Sequence, residues 1–312
     1  MNVNISDYLA YFILHGFPAF QFWQWNVFGI ILFMYLLTIT ENIIIITIVL
    51  SDSLLNSPMY FFIGNLSFIE MLYTSVTIPK LLALLIGKSK SISLTGCLTQ
   101  FFFFFSLGSA ECFLLAVMSY DRYCAICHPL LYNVIMNRPL CCYLVLACWI
   151  GGFIPNLFPT VLLSQLHFCD RYIEHFFCDL SPLLQLSCSN TNRLQTLNFL
   201  TASAIVVFSF SLTLWTYIRI IMTILAIPST TGKFKTFSTC ASHLTVVTIF
   251  FGTVAFVYVR PRASKDFELN KVLSVVYIVL TPVVNPLIYS FRNKDVKTTI
   301  KKRFLQEHRQ QH

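Results

Sequence analysis

"CLTQFFFFFSLGSAECFLLAVMSYDRYCAI" (residues 97–126) is the stretch that decides the fold. It runs apolar from Cys97 to Tyr120 with one acid, Glu111, in its middle, and it closes on Asp121 and Arg122. A helix needs about 20 apolar residues to cross a bilayer, so this run is long enough to span one. Six more runs of similar length flank it: Asn26–Leu50, Pro58–Lys80, Cys141–Leu163, Thr196–Leu225, Phe237–Val259 and Lys271–Phe291. The segments between them are short and richer in Pro, Ser, Asn and charge.

Composition supports the same reading. The chain of 312 residues is 56% hydrophobic and 11% charged, with a mean hydropathy of +0.72. Soluble domains carry about 25% charged residues, and a chain of this length would otherwise suggest roughly two of them. A transmembrane β-barrel would show alternating segments of about 10 residues, whereas these runs are continuous. The expectation is an all-α membrane protein. It has a tail at 1–25, a seven-helix bundle at 26–292, and a short amphipathic helix with a tail at 293–312.

Seven spans place the termini on opposite sides of the membrane. The proposed inner segments hold 12 of the 21 Lys and Arg residues, a slight bias. The tails decide the orientation: residues 1–25 contain no Lys or Arg and residues 292–309 contain seven. Positive charge collects on the cytoplasmic side, so the N-terminus is expected outside. No cleavable signal peptide is read at the start. Asn4, in the triplet Asn4-Ile5-Ser6, is then a glycosylation acceptor. In "RNKDVKTTIKKRFLQ" (292–306), Val296, Ile300 and Phe304 recur at helical spacing among lysines, a pattern suited to the inner leaflet.

In this topology four of the eleven cysteines face the oxidising side: Cys97, Cys169, Cys178 and Cys188. Four cysteines allow three pairings, and in each at least one bridge ties the loop after the fourth span to the head of the third. The other seven are read as small apolar fillers.

Ionisable groups within a bilayer are costly and point to function. Glu41, Glu70 and Glu111 are such groups. On a 3.6-residue helix Phe104, Gly108 and Arg122 share the face of Glu111, with Arg122 about 16 Å away along the axis. Glu70 lies at a similar depth. Two acids at one depth share a proton, hold a small cation such as sodium, or remain as neutral hydrogen-bonded carboxyls. Glu41, beside Asn42, reads as a buried structural hydrogen bond. In the seventh span Pro282 and Pro286 remove backbone donors and kink the helix. This is read as the one proline-broken span.

Four ordered blocks then carry a resemblance: "PMYFFIGNLSFIE" (58–70), "MSYDRYCAICHPLLY" (118–132), "KTFSTCASHLTVV" (235–247) and "PVVNPLIYSFRN" (282–293). With seven spans and Cys97 opening the third, the chain resembles the olfactory receptors, of the tetrapod type, within the rhodopsin-like G-protein-coupled receptors. It departs from the family's pattern at Glu41, where Gly is usual, at Asn56, Ser119 and Cys124, and at Phe251, which lacks the hydroxyl of a frequent Tyr.

The resemblance implies pairing of Cys97 with Cys178 and of Cys169 with Cys188. It implies a polar or cation site at Glu70 and Glu111, and a switch made by Asp121, Arg122, Tyr217, His243, Asn285, Pro286 and Tyr289. It also implies an odorant pocket in the outer half of the bundle. Helical spacing gives that pocket's walls as Phe101, Phe104, Phe105, Gly108, Ser109, Thr201, Ile205, Phe251, Val254, Tyr258, Val275 and Ile278. These are mostly apolar and aromatic, as small-molecule sites tend to be, and none is basic. The expected ligand is a small neutral volatile.

The implied function is a ligand-gated switch acting on a stimulatory G protein to raise cAMP, in the plasma membrane of olfactory sensory neurons. The competing reading is a secondary transporter, which would show internal repeats and paired broken helices. An enzyme would need a nucleophile and base, and His243 has no acid at helical spacing. No cofactor is expected beyond the sodium ion, and no nucleic-acid partner.

Overall fold

Each of the seven apolar runs forms a helix that extends past its sequence-derived limits at one end or both. The computed structural model describes residues 11–16, 23–51, 57–87, 90–259 and 267–292. The long helices are α1 (Gln24–Ser51), α2 (Pro58–Leu85), α3 (Leu94–Cys127), α5 (Arg138–Ser164), α7 (Asn192–Ala226), α8 (Thr230–Val259) and α9 (Phe267–Arg292). Two short ones, α4 (Tyr132–Ile135) and α6 (Leu180–Gln185), lie in the connections after α3 and α5. Hydrocarbon thickness sets the apolar runs, but local capping sets where α3 and α5 begin. The Ser93 side chain accepts from the Gly96 amide at 3.0 Å, and Asn137 Oδ1 accepts from the Leu140 amide at 3.0 Å. Both side chains satisfy first-turn donors that the helix leaves unpaired.

Helices α1, α2, α3, α5 and α7 are individually long and apolar enough to cross a membrane. Helix α8 joins them when its two bent halves are taken as one span, and α9 contributes the shorter apolar segment Ile278–Tyr289. The chain is a multi-pass bundle whose apolar side chains face outward as well as inward. On α5, Tyr143, Leu146, Ile150, Ile154, Leu157 and Val161 form an exposed stripe at helical spacing. Lipid is the natural solvent for such a face.

Helix α3 is the central post; Leu107, Ala110, Leu115 and Met118 are wholly buried. It meets α5 at Gly152, where a Cβ would lie 2.7 Å from both the Ala110 nitrogen and the Ser106 oxygen. Small residues allow this close backbone approach in membranes. Proline is not confined to the seventh span: Pro79 lies inside α2, and Pro155 and Pro159 lie inside α5. A proline costs a helix one backbone hydrogen bond, and packed neighbours allow the spans to absorb this loss.

The end expected to face outward carries a sheet that hydropathy did not reveal. Strand β1 (Tyr11–Leu14) sits between β2 (Ser91–Ser93) and β3 (Tyr172–Ile173), antiparallel to the first and parallel to the second. Alternate residues Phe12 and Leu14 point inward and are buried, while Tyr11 is exposed. Disulfides join Cys97 to Cys178 and Cys169 to Cys188, with Cα atoms 5.4 and 5.8 Å apart. The first ties α3 to the loop after α5. Beside it, Gln100 donates to the Val76 carbonyl at 2.9 Å and accepts from the Cys178 amide at 3.0 Å. One side chain thus joins α2, α3 and the loop. Asn4 and the segment 293–312 lie outside the described residues.

Candidate functional site

Two polar clusters of the bundle lie along α3, one midway along it and one at its C-terminal end, the end expected to face inward. At mid-depth Glu70 of α2 and Glu111 of α3 are buried with Asn42 of α1 and Asn285 of α9. Asn285 Nδ2 donates to Glu70 Oε1 at 2.6 Å, so the proline-rich helix meets α2 through a charge-capable bond. Asn42 lies beside the same carboxyl, and Nδ2 of Asn42 also donates to the Thr38 carbonyl at 2.9 Å. Glu111 and Glu41 are near enough to act on Glu70 electrostatically.

Several oxygens of this cluster are sealed from solvent without a protein partner: Oε1 of Glu111, Oδ1 of Asn42, Oδ1 of Asn285 and Oε2 of Glu41. Buried acceptors left unpaired are costly, and hard oxygen donors of this kind suit a small hard cation. The residues therefore fit a sodium ion. Among the described residues, no three His, Cys, Asp or Glu side chains gather closely enough to ligate one ion. Any ion here would be held by Glu70 and Glu111 with amide oxygens completing its shell.

At the inner end Asp121 is fully buried and paired with Arg122, whose Nε donates to Asp121 Oδ2 at 2.9 Å. The second carboxylate oxygen accepts from the Tyr132 hydroxyl at 2.8 Å. Burial, together with the adjacent Asp121 carboxylate, raises the Tyr132 phenol above its ordinary range and keeps the donor protonated. Across the bundle the Tyr217 hydroxyl meets His243 Nδ1 at 2.7 Å, with the two rings nearly parallel. His243 has no acid at helical spacing because its partner is a phenol on another helix. Tyr289 is buried between the clusters, its hydroxyl unpartnered.

The expected outer walls come from several helices. Phe101, Phe104, Ile205, Phe251, Val254 and Ile278 are buried, and Phe105, Gly108, Ser109, Thr201 and Val275 are half-buried. Phe104 is gripped by Tyr73 of α2 at 4.7 Å and by Phe177 of the loop after α5 at 4.8 Å, between ring centroids. Gly108 faces the same Tyr73. Ser109 turns toward α5: its hydroxyl donates to the Phe105 carbonyl at 2.8 Å and receives Asn156 Nδ2 at 3.0 Å. The Tyr258 side chain lies outside the described residues. Of the five phenylalanines 101–105, Phe103 is exposed and Phe102 packs on Phe153 of α5, so the run divides between core and surface as geometry requires.

A groove of about 660 Å³ opens on a different face, lined by residues of α2, α3 and α5 including Leu72, Phe103, Trp149 and Phe153. It shares no residue with the expected walls and is open and apolar, as a lipid-facing crevice would be. Its size does not make it the ligand site, because it lacks the placed polar groups that give a small-molecule site its specificity.

Tyr132, Asn42, Asn156 and Gln100 escaped the sequence reading. Tyr132 stood within a recognised block, but its contact depends on a chain reversal after Cys127 that helical spacing cannot express.

A family model for "Olfactory receptor" matches residues 31–307. Olfactory receptor 6S1 of Homo sapiens is 46% identical over 303 residues, covering 96% of this chain and 92% of that protein. Olfactory receptor 11L1 of Homo sapiens is 49% identical over 303 residues, covering 97% and 94%. Olfactory receptor 6B9 of Mus musculus is 46% identical over 300 residues, covering 96% and 94%.

Proposed function

The chain belongs to the olfactory receptor family, and from that premise we propose that it is an odorant receptor. It binds a small neutral hydrophobic volatile in the outer half of the bundle and activates a stimulatory G protein to raise cAMP. The observation that carries this reading is the likeness to olfactory receptors over nearly the whole chain. The ligand class follows from the wall residues, which are apolar or aromatic with a few hydroxyls and no basic group to meet a carboxylate. The receptor sits in the plasma membrane with its N-terminus outside and its C-terminus cytoplasmic, in olfactory sensory neurons.

The inner cluster supplies the switch. Asp121 holds Arg122 against α3, and Tyr132 holds Asp121 from the following turn. Releasing Arg122 frees a cation at the cytoplasmic mouth. A ligand shifts that equilibrium only as far as its differential affinity for the two states allows. Glu70 and Glu111 hold a sodium ion in the resting state, supported by the unpartnered oxygens around them. The ion, when bound, neutralises charge at the junction of α1, α2, α3 and α9. Asn285 and Pro286 let α9 flex beside it.

The test is odorant-dependent cAMP in transfected cells, with a panel of neutral and acidic volatiles. Neutral volatiles are expected to give the response, and Arg122→Ala is expected to abolish it at unchanged surface expression. A response confined to carboxylic acids would overturn the ligand class, and a fully active Arg122→Ala would overturn the switch.

A further inference from the structure

We propose that Tyr73 of α2 is a specificity-determining residue of the odorant site, the ring that limits ligand size at the level of Gly108. The inference rests on the reading of the chain as an odorant receptor. It adds to the expected walls a residue from a helix that supplied none of them. Leu72 and Val76, beside Tyr73 on α2, line the open apolar groove. Tyr73 itself is only 3% exposed and turns toward α3.

Two observations define what Tyr73 does. Its ring stacks on that of Phe104, with centroids 4.7 Å apart and planes 28° from parallel. Phe177 and Phe105 meet the same ring at 4.8 and 5.2 Å. Phe104 is therefore held on several sides and cannot swing aside for a larger ligand while Tyr73 stays in place. One turn inward, α3 presents no side chain. Apart from α3's own backbone and the two adjacent residues, a Cβ on Gly108 would meet one atom within 4 Å among the described residues, Cε2 of Tyr73 at 3.8 Å. Gly108 is half-buried although it shares the face of the buried Phe104 and Glu111, so the space beside it lies inside the bundle. Tyr73 bounds that space on the α2 side. It stands three residues outward of Glu70, as Gly108 stands three residues outward of Glu111, about 5 Å along each axis. A ligand seated over Gly108 ends just outside the mid-bundle acids, and the bulk at position 73 decides how much of its apolar end fits. One methylene more or less in an apolar pocket changes binding by about tenfold or more.

The experiment measures cAMP in transfected cells against neutral alcohols, aldehydes, ketones and esters ranked by molecular volume, at matched surface expression. Tyr73→Leu is expected to improve potency for the largest members about tenfold relative to the smallest. Gly108→Ala, which fills the same space from the other side at an ordinary contact distance, is expected to shift it about tenfold the other way. Tyr73→Phe, which keeps the ring, is expected to preserve the parent's ranking by volume. Where Tyr73→Leu does not reach the surface, Tyr73→Met carries the same expectation. A structural role alone would change all ligands alike. An equal change at every volume, or an unchanged ranking in the Leu and Met variants, overturns the role of Tyr73 while the odorant reading stands. A parent chain at the surface and silent to the whole panel overturns the odorant reading and the role of Tyr73 with it.

Discussion

Gly152 has no room for a side chain, because the atoms that would meet a Cβ are α3 backbone and cannot rotate away. Gly152→Ala is expected to force α3 and α5 apart and destabilise the bundle by about 1–3 kcal/mol, the usual penalty for overpacking. Thermal unfolding in detergent measures this directly. Gly29→Ala, where nothing lies within 4 Å of the added carbon, provides the neutral comparison. An equal melting temperature for the two variants would refute the close-approach argument. Nothing in hydropathy separates these two glycines, since both sit in apolar helices. Glu70, Glu111 and Asn285 were legible one by one, because polar atoms in hydrocarbon demand explanation. The bond between Glu70 and Asn285 joins residues 215 positions apart and depends on how two helices are rotated about their axes.

Helix α4 is one turn long, yet it reaches the inner cluster through a hydrogen bond to Asp121. Its Tyr132 is the second of two groups holding the Asp121 carboxylate. A buried hydrogen bond to a charged group contributes about 1.5–3 kcal/mol. Tyr132→Phe keeps the ring and removes the donor, so it is expected to loosen Asp121 and raise ligand-independent cAMP at least several-fold. A basal signal equal to the parent's, at equal surface expression, would exclude a restraining role for α4. Spans were readable as elements because each needs only its own sequence and the thickness of the bilayer. Caps moved their ends outward, as at Ser93 and Asn137. The strands and short helices of the loops were not readable. Strand β1 has only four residues and pairs with partners about 80 and 160 positions away.

At the scale of the whole molecule, the outer sheet and the disulfides tie the N-terminal tail and two loops to the head of α3. Phe12 is wholly buried and packs edge-on against Phe168, with centroids 5.1 Å apart. Phe12→Ala is expected to cost about 3–5 kcal/mol locally and to release β1 from its neighbours. Hydrogen exchange over residues 11–14 reads this out, and unchanged protection would show that the strand is held by its backbone bonds alone. By itself the sequence determined the solvent, the number of spans, the cysteines available for bridging and the family, because each depends on composition or on contiguous motifs. Only the tertiary structure decided which atoms meet: Asn285 with Glu70, Tyr217 with His243, Tyr132 with Asp121, and Asn156 with Ser109. Those pairs depend on the rotation and depth of one helix against another. Apolar faces that lipid and protein solvate alike carry no record of that rotation, so packing has to supply it.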